Sequence, residues 1–341
     1  MRIIAFLMSF FSLIVAIWNP YVLPNRIPET RTAPVYADGT MPDRFGVWPT
    51  EEFTEGPAPW WFSERVLRSM YARKQPIAPY HESLLVLHRG RLIYEYYAEG
   101  FDETTQFNIY SAIKSVLATL VGIAIHEGYI ESVDQRAYEF FPEAQLDEND
   151  MKRDMTIEHL LTYTSGLDYG DEWWAADDIG LTAFLRPMRY QPGSRFTGGA
   201  AHEVLGTLLS RAVGQSPYDF AQQYLFGPLG ATGVRNNSRN NSGSFNVHMT
   251  ARDMARIGYL WLNFGRWEDA QLLCPHFMAQ SPSRSMAPYG LGRSFTNNNL
   301  FPFFLTGSYE AAGMNGQYIT VYPRLGMVVV RTGWTEVRTE I

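Results

Sequence analysis

Apolar residues recur along this chain with two different periods, and the order of those periods predicts an architecture. The run ESLLVLHRGRLIYEYYAEG holds two β-rich stretches, Ser83 to His88 and Leu92 to Tyr97, around a turn at Arg89 and Gly90, which reads as a hairpin. From Ser111 to His126 the pattern is helical and apolar on nearly every face, predicting a helix inside the protein that Gly128 ends. Four more helical runs follow: IEHLLTYT, AHEVLGTLLSRAVG, PYDFAQQYLFGPL and ARDMARIGYLWLNFG. The end returns to strands, Tyr318 to Tyr322 and Met327 to Arg331, joined by a turn over Pro323 to Gly326. Strands at both ends of a helical middle predict an α/β (α+β) fold, an antiparallel β-sheet flanked by helices with an inserted all-α domain. The sheet domain is expected to take residues 61–130 and 283–341, and the helical domain 131–282.

Upstream the pattern changes. Ile3 to Asn25 contains no charged residue and follows Arg2. Its densest part, Ile3 to Trp18, is short of the roughly 20 residues of a spanning helix, but Asn19 to Leu23 extend it, and Trp18 and Tyr21 suit an interface. VAIWNPYVLP offers no well-placed small residues for cleavage, so residues 1–25 are expected to be an uncleaved membrane anchor, with a cleaved signal and a secreted protein as the alternative. Either way the remainder crosses the membrane; in a bacterium it would work in the periplasm or at the outer face. Residues 26–60, rich in proline, read as an extended linker, and WFSERVLRSMYARKQ as an amphipathic helix with Ser63 at its N-cap. The asparagine-rich RNNSRNNSGSFN reads as an exposed loop.

Composition narrows the chemistry. A chain of 341 residues with net charge −7 and interspersed acids and bases has no field to hold nucleic acid phosphates, so no nucleic acid partner is expected. Cys274 is the lone cysteine, which rules out an internal disulfide and a thiolate metal cluster. The histidines at 81, 88, 126, 159, 202, 248 and 276 never pair as HxH or HExxH, and neither a GxSxG elbow nor a GxxxxGK loop occurs. No metal and no cofactor is expected.

One residue breaks the helical pattern. Lys114 is the only charged side chain between Glu103 and Glu127, and the chain's only other lysines are Lys74 and Lys152. A buried ammonium is costly unless it sheds its proton, which lysine can do and arginine cannot. Residues three apart on a helix share a face, so the Ser111 hydroxyl and the Lys114 amine are within reach of one another. Ser111 also stands at the helix N-terminus, where free N–H groups favour a developing negative charge. A serine beside a neutral amine is the arrangement of an acyl-transfer nucleophile. The bland alternative is a lysine whose long stem carries its amine out to water.

FNIYSAIKSV stands within a wider set of matching runs: LLVLHRGRLIYEYYAEG, GYIESVDQRAYEFFPE, MTIEHLLTYTSGLDYG, YQPGSRF, FGPLGATG, TARDMARIGYLWLNFGRW and AAGMNGQYITVYPRLGMVVVRTG. In this order, over most of residues 81 to 333, they resemble the serine β-lactamase-related hydrolases, which include class C β-lactamases, D-alanyl-D-alanine carboxypeptidases, family VIII esterases and 6-aminohexanoate-dimer hydrolases. The resemblance implies a β-lactamase/transpeptidase-like fold, Ser111 as the acylated nucleophile and Lys114 as its partner. The family's box of Lys or His, Thr or Gly, then Gly falls on Met314, Asn315 and Gly316, followed by Gln317. It implies that the N–H groups of Gln317 and Ser111 form the oxyanion hole, with Tyr110, Asn315 and Gly316 at a small-molecule ester, amide or peptide substrate.

The sequence also departs from the family. The relay tyrosine expected two residues after the phenylalanine of PGxxF is missing, because Phe196 and Thr197 run directly into Gly198 and Gly199. The segment is one residue short, and Tyr163, Tyr169 and Tyr190 are candidates to lend a hydroxyl. The chain stops at Ile341, where relatives continue into a helix. Met314 removes a cation beside a substrate carboxylate, which favours esters or amides lacking that charge. DEWWAADD and FPFF read either as walls of an apolar acyl pocket or as core. The alternatives to an active serine hydrolase are a silent relative that binds cell-wall peptides or a protein partner, and a damaged gene product.

Overall fold

Both predicted hairpins form, and they lie side by side. In the computed structural model, which describes residues 47–49, 53–60, 62–63, 81–148, 150–168, 176–197, 200–236, 247–280, 289–290, 293–295 and 308–333, the strands are β1 (His81–His88), β2 (Arg91–Tyr97), β3 (Gln106–Asn108), β4 (Arg235–Asn236), β5 (Val247–Thr250), β6 (Arg266–Trp267), β7 (Ala270–Gln271), β8 (Tyr289–Gly290), β9 (Arg293–Phe295), β10 (Tyr309–Gly313), β11 (Gln317–Tyr322) and β12 (Met327–Gly333). A seven-stranded antiparallel sheet runs β2-β1-β12-β11-β10-β9-β8, so the early hairpin closes on the last strand, with Leu85 opposite Val330 and Val86 opposite Val329. Arg89 and Gly90 both take positive φ, 51° and 81°, as a tight turn matching strand twist requires.

Alternation explains how the sheet is covered. Leu85 and Leu87 of β1, Ile319 and Val321 of β11, and Val328 and Val330 of β12 enter the main core. Their neighbours Leu84, Val86, Tyr318, Tyr322, Met327 and Val329 form a second cluster on the other face. Side chains two apart share a face of a strand, so continuous apolar runs in these strands mark a sheet buried on both sides.

The helices are α1 (Ile113–His126), α2 (Ile157–Leu161), α3 (Ile179–Phe184), α4 (Ala201–Val213), α5 (Pro217–Ala221), α6 (Ala251–Leu262) and α7 (Pro275–Gln280). α1 is buried along most of its length, as its all-round apolar pattern predicts, and Gly128 follows its end with φ 78°. α4 packs on α1, α2 and α3, whereas α6 lies across β1, β11 and β12. Trp261 Nε1 donates to Thr119 Oγ1 at 2.9 Å, tying α6 to α1.

Two helical runs end earlier than their sequence pattern. IEHLLTYT is helical only to Leu161, because Tyr163 turns to φ 58°. PYDFAQQYLFGPL is an α-helix to Ala221 and then widens into a π-helical turn over Gln222–Phe226, with Gly227 N–H donating to Gln222 O at 2.9 Å. α3 was not foreseen: six residues are too few to display a period, and its start is set by Asp178, whose carboxylate accepts Leu181 N–H at 2.8 Å.

No helix among the described residues is long and apolar enough to cross a membrane. The expected N-terminal anchor, the linker up to residue 46 and most of the helix after Ser63 lie outside the described residues, as do residues 237–246, 301–304 and the end of the chain.

Candidate active site

The serine is presented by a pinned corner. β3 pairs with β5 up to Asn108, and Ile109 N–H then donates to Val247 O at 3.2 Å. Asn108 Oδ1 accepts Tyr110 N–H at 2.9 Å, turning the chain sharply, and Tyr110 takes φ 46°. A tyrosine in that region is held against its own preference, a kind of strain that concentrates at functional sites. A single 3₁₀ turn, Tyr110–Ala112, leads into α1 and leaves Ser111 partly accessible at the start of the helix.

Lys114 lies in the first turn of α1, and its Nζ is 2.9 Å from Ser111 Oγ. Burial holds the amine below the usual lysine range, and the Glu203 carboxylate opposes that shift. Lys114 is half-buried and its amine is turned to the serine hydroxyl. It sits where a neutral amine can accept a hydroxyl proton.

The Met314–Gly316 turn approaches the serine segment from the sheet. Gly313 at the end of β10 is so close to the Ile109 carbonyl that a Cβ would lie 2.2 Å from that oxygen. This contact brings β10 and β11 against the Tyr110–Ala112 turn. Between those strands Asn315 has φ 62° and Gly316 φ 86°, and Met314 is 67% exposed. Gln317 opens β11 with its side chain buried; Nε2 donates to Gly333 O at 2.8 Å. That side chain is committed to the sheet, and Gln317 itself pairs with Gly313 across the turn between β10 and β11.

Of the tyrosines considered for the missing relay, Tyr169 lies outside the described residues, as do Gly198 and Gly199. Tyr190 stacks under Arg195, whose guanidinium carbon is 4.2 Å from the ring centroid. Tyr163 is buried, with its ring 5.9 Å from Phe196 and 6.4 Å from His202. Among the described residues no group of three His, Cys, Asp or Glu side chains is arranged to hold a metal.

Comparison with known proteins gives the family and the fold. A family model described as Beta-lactamase matches residues 77–332. The chain belongs to the Beta-lactamase family. Within it, 6-aminohexanoate-dimer hydrolase of Paenarthrobacter ureafaciens is 24% identical over 295 residues, 75% of this chain and 73% of that protein. A family VIII carboxylesterase superposes with a TM-score of 0.66 at 14% identity, over 84% of this chain and 95% of that one. A mutant class C β-lactamase superposes with a TM-score of 0.62 at 15% identity, over 83% and 96%. The family fold is therefore the one expected, an antiparallel sheet with flanking helices, and its relatives include hydrolases of esters and amides.

Sequence reasoning passed over one group in this region. Glu203, in the first turn of α4, is 1% exposed, and His202 Nε2 is 3.2 Å from its Oε1. The signal was present: Glu203 is the only acidic residue between Asp178 and Asp219, as isolated as Lys114 is in its own helix.

Proposed function

We propose that the protein is a serine hydrolase that cleaves ester or amide bonds through a covalent acyl-enzyme on Ser111. The observation that carries this reading is the 2.9 Å separation of Lys114 Nζ and Ser111 Oγ, with the amine held below its usual range by burial. The Lys114 amine takes the hydroxyl proton as Oγ adds to the substrate carbonyl. The N–H groups of Ser111 and Gln317 stabilise the oxyanion, a role supported by the packing of β10 and β11 on the serine turn. The ammonium then protonates the leaving group, and water repeats the sequence to free the acid.

The substrates proposed are small esters or amides without a free carboxylate beside the scissile bond, because Met314 stands exposed at the position where the family resemblance implies a cation. The site of action is the extracytoplasmic face of a membrane, a reading supported by the uncharged stretch Ile3 to Asn25.

A fluorophosphonate probe tests the core of this reading. Labelling of the full chain that disappears in Ser111→Ala supports the hydrolase. A folded protein that takes no label overturns it and favours the silent binder of cell-wall peptides or of a protein partner, for which the missing relay tyrosine is the motive.

A further inference from the structure

We infer that the end of the large sheet formed by the turns at Arg89–Gly90 and Pro323–Gly326 is a docking surface for anionic phospholipid headgroups, with Arg89, Arg91 and Arg324 on the phosphates and Trp60 in the interface. This rests on the membrane placement of the proposed function and not on the chemistry at Ser111.

The two turns are locked together, because Arg89 N–H donates to Gly326 O at 2.8 Å. Neither turn holds an acidic residue, and Arg89, Arg91 and Arg324 are all exposed. Among the described residues no carboxylate pairs with any of the three, whereas Arg211, Arg252 and Arg256 each have one. Glu55 lies on the neighbouring segment, opposite Leu92. Three guanidinium groups therefore stand uncompensated at one end of a chain whose net charge is −7. Their field reaches His88, where burial first and the Arg89 charge second lower the imidazole pKa, against a hydrogen bond with the Leu325 backbone. A guanidinium offers a planar fork that fits phosphate oxygens and stays charged at any ordinary pH.

Apolar surface adjoins the charge. A cavity of about 410 Å³ is lined by His88, Arg89 and Arg91 together with Val47, Pro57 and Ile93. The segment that brings Pro57 there is held on β2, since Gly56 N–H donates to Leu92 O at 3.0 Å and Leu92 N–H to Thr54 O at 2.9 Å. Phe62 N–H then donates to Pro59 O at 2.8 Å, closing a turn that leaves Trp60 96% exposed, while the Phe62 ring lies 6.3 Å from that of Tyr94. An indole in water wastes a large apolar surface, and the headgroup layer of a bilayer satisfies both its ring and its N–H.

The course of the chain agrees with this choice of partner. Val47 packs on the same turn, so closely that a Cβ on Gly90 would lie 2.2 Å from its carbonyl oxygen. The chain that follows the uncharged stretch Ile3 to Asn25 thus joins the sheet at the arginine end. The serine is served from the other end: β11, Gln317–Tyr322, separates the Met314–Gly316 turn from the Pro323–Gly326 turn, roughly 20 Å at the rise of a strand. Docking through the arginines directs the Met314–Gly316 turn away from the bilayer, toward substrates dissolved in water.

The test exposes the full chain to phenylglyoxal on vesicles of phosphatidylcholine or of phosphatidylglycerol and reads modification of each arginine by mass spectrometry. On the anionic vesicles Arg89, Arg91 and Arg324 should react about tenfold more slowly, with the protection lost in high salt, while Arg235, exposed on a different sheet, reacts as before. Trp60 is followed through quenching by brominated phosphatidylglycerol, taken as the difference between the chain and its Trp60→Phe variant. Combining Arg89→Gln, Arg91→Gln and Arg324→Gln should reduce that difference to its value on phosphatidylcholine. All four side chains are exposed, so these variants keep the fold. Equal modification on both vesicles overturns the inference. So does equal protection by inorganic phosphate alone, which would mark a small-anion site, or protection by polyglutamate and not by vesicles, which would mark a protein partner. Loss of the chain from neutral vesicles in alkaline carbonate would sink the N-terminal anchor separately, and the footprint on anionic vesicles still decides the surface.

Discussion

The main chain at Gly316 stands against the Arg331 guanidinium with no space between them: a Cβ on Gly316 would lie 2.1 Å from Nη1. Arg331 is 2% exposed, donates Nε–H to His81 Nδ1 at 2.7 Å and Nη1–H to the Gly316 carbonyl at 3.3 Å. A buried cation of β12 therefore seats the turn before Gln317, and the φ of 86° excludes a side chain for a second reason. Gly316→Ala is expected to displace that turn, slow Ser111 labelling by about a hundredfold and cost about 1–3 kcal/mol of stability. Labelling rates and thermal melts of the same preparation check both effects. Unchanged labelling would detach residues 314–317 from the chemistry.

Lys114→Arg keeps the charge but cannot shed a proton at ordinary pH. On the proposed mechanism the reactive form is the neutral amine, so activity should be present above the lowered lysine pKa and be lost as pH falls through it. The arginine variant should hydrolyse a simple aryl ester about 10²–10⁴-fold more slowly and lose that limb of the profile. Initial rates across pH decide it; a variant with the wild-type limb assigns the limb to another group.

Met314→Lys tests the proposed substrate preference. Met314→Lys places a cation on the exposed rim beside the turn, so the ratio of kcat/KM for a carboxylate-bearing ester over its neutral analogue should rise about tenfold, roughly 1.4 kcal/mol. Paired assays on the two esters measure it. A ratio that stays put would remove Met314 from the substrate path.

His159 ties stability to pH. Thr156 N–H donates to its Nδ1 at 3.1 Å while His159 N–H donates to Thr156 Oγ1 at 3.3 Å, capping α2 just ahead of Tyr163. Burial first, with Arg136 assisting and Glu158 opposing, lowers its pKa below the ordinary 6.5. The folded value lies below the unfolded one, so the contribution is present above 6.5 and is lost as pH falls through the folded value. His159→Ala should therefore cost about 1 kcal/mol at neutral pH, and the gap to wild type should close on acidification. Melting temperatures of both proteins across pH will show whether it does.

Much of the molecule was legible in residue order. The hairpins and the buried helix are patterns of consecutive residues, and the pairing of Ser111 with Lys114 needs only the three-residue spacing of one helical turn. The isolation of Lys114 pointed to a partner for its amine, which the structure gives as the Ser111 hydroxyl, because a charge in a dry helix is expensive wherever that helix sits. Short or bent elements were less visible. α3 has too few residues for a period, and the left-handed turns at Tyr110, Tyr163 and Asn315 break local preference for reasons that lie elsewhere in the chain.

The groups around the serine belong to that second kind. Glu203 is buried because α4 packs on α1, α2 and α3, and Arg331 holds Gly316 because β12 runs beside β11. A linear pattern records which residues are out of place, since solvation and helix or strand periodicity act on near neighbours. Which misplaced charges meet, and so what each is for, depends on the close packing of segments distant in sequence.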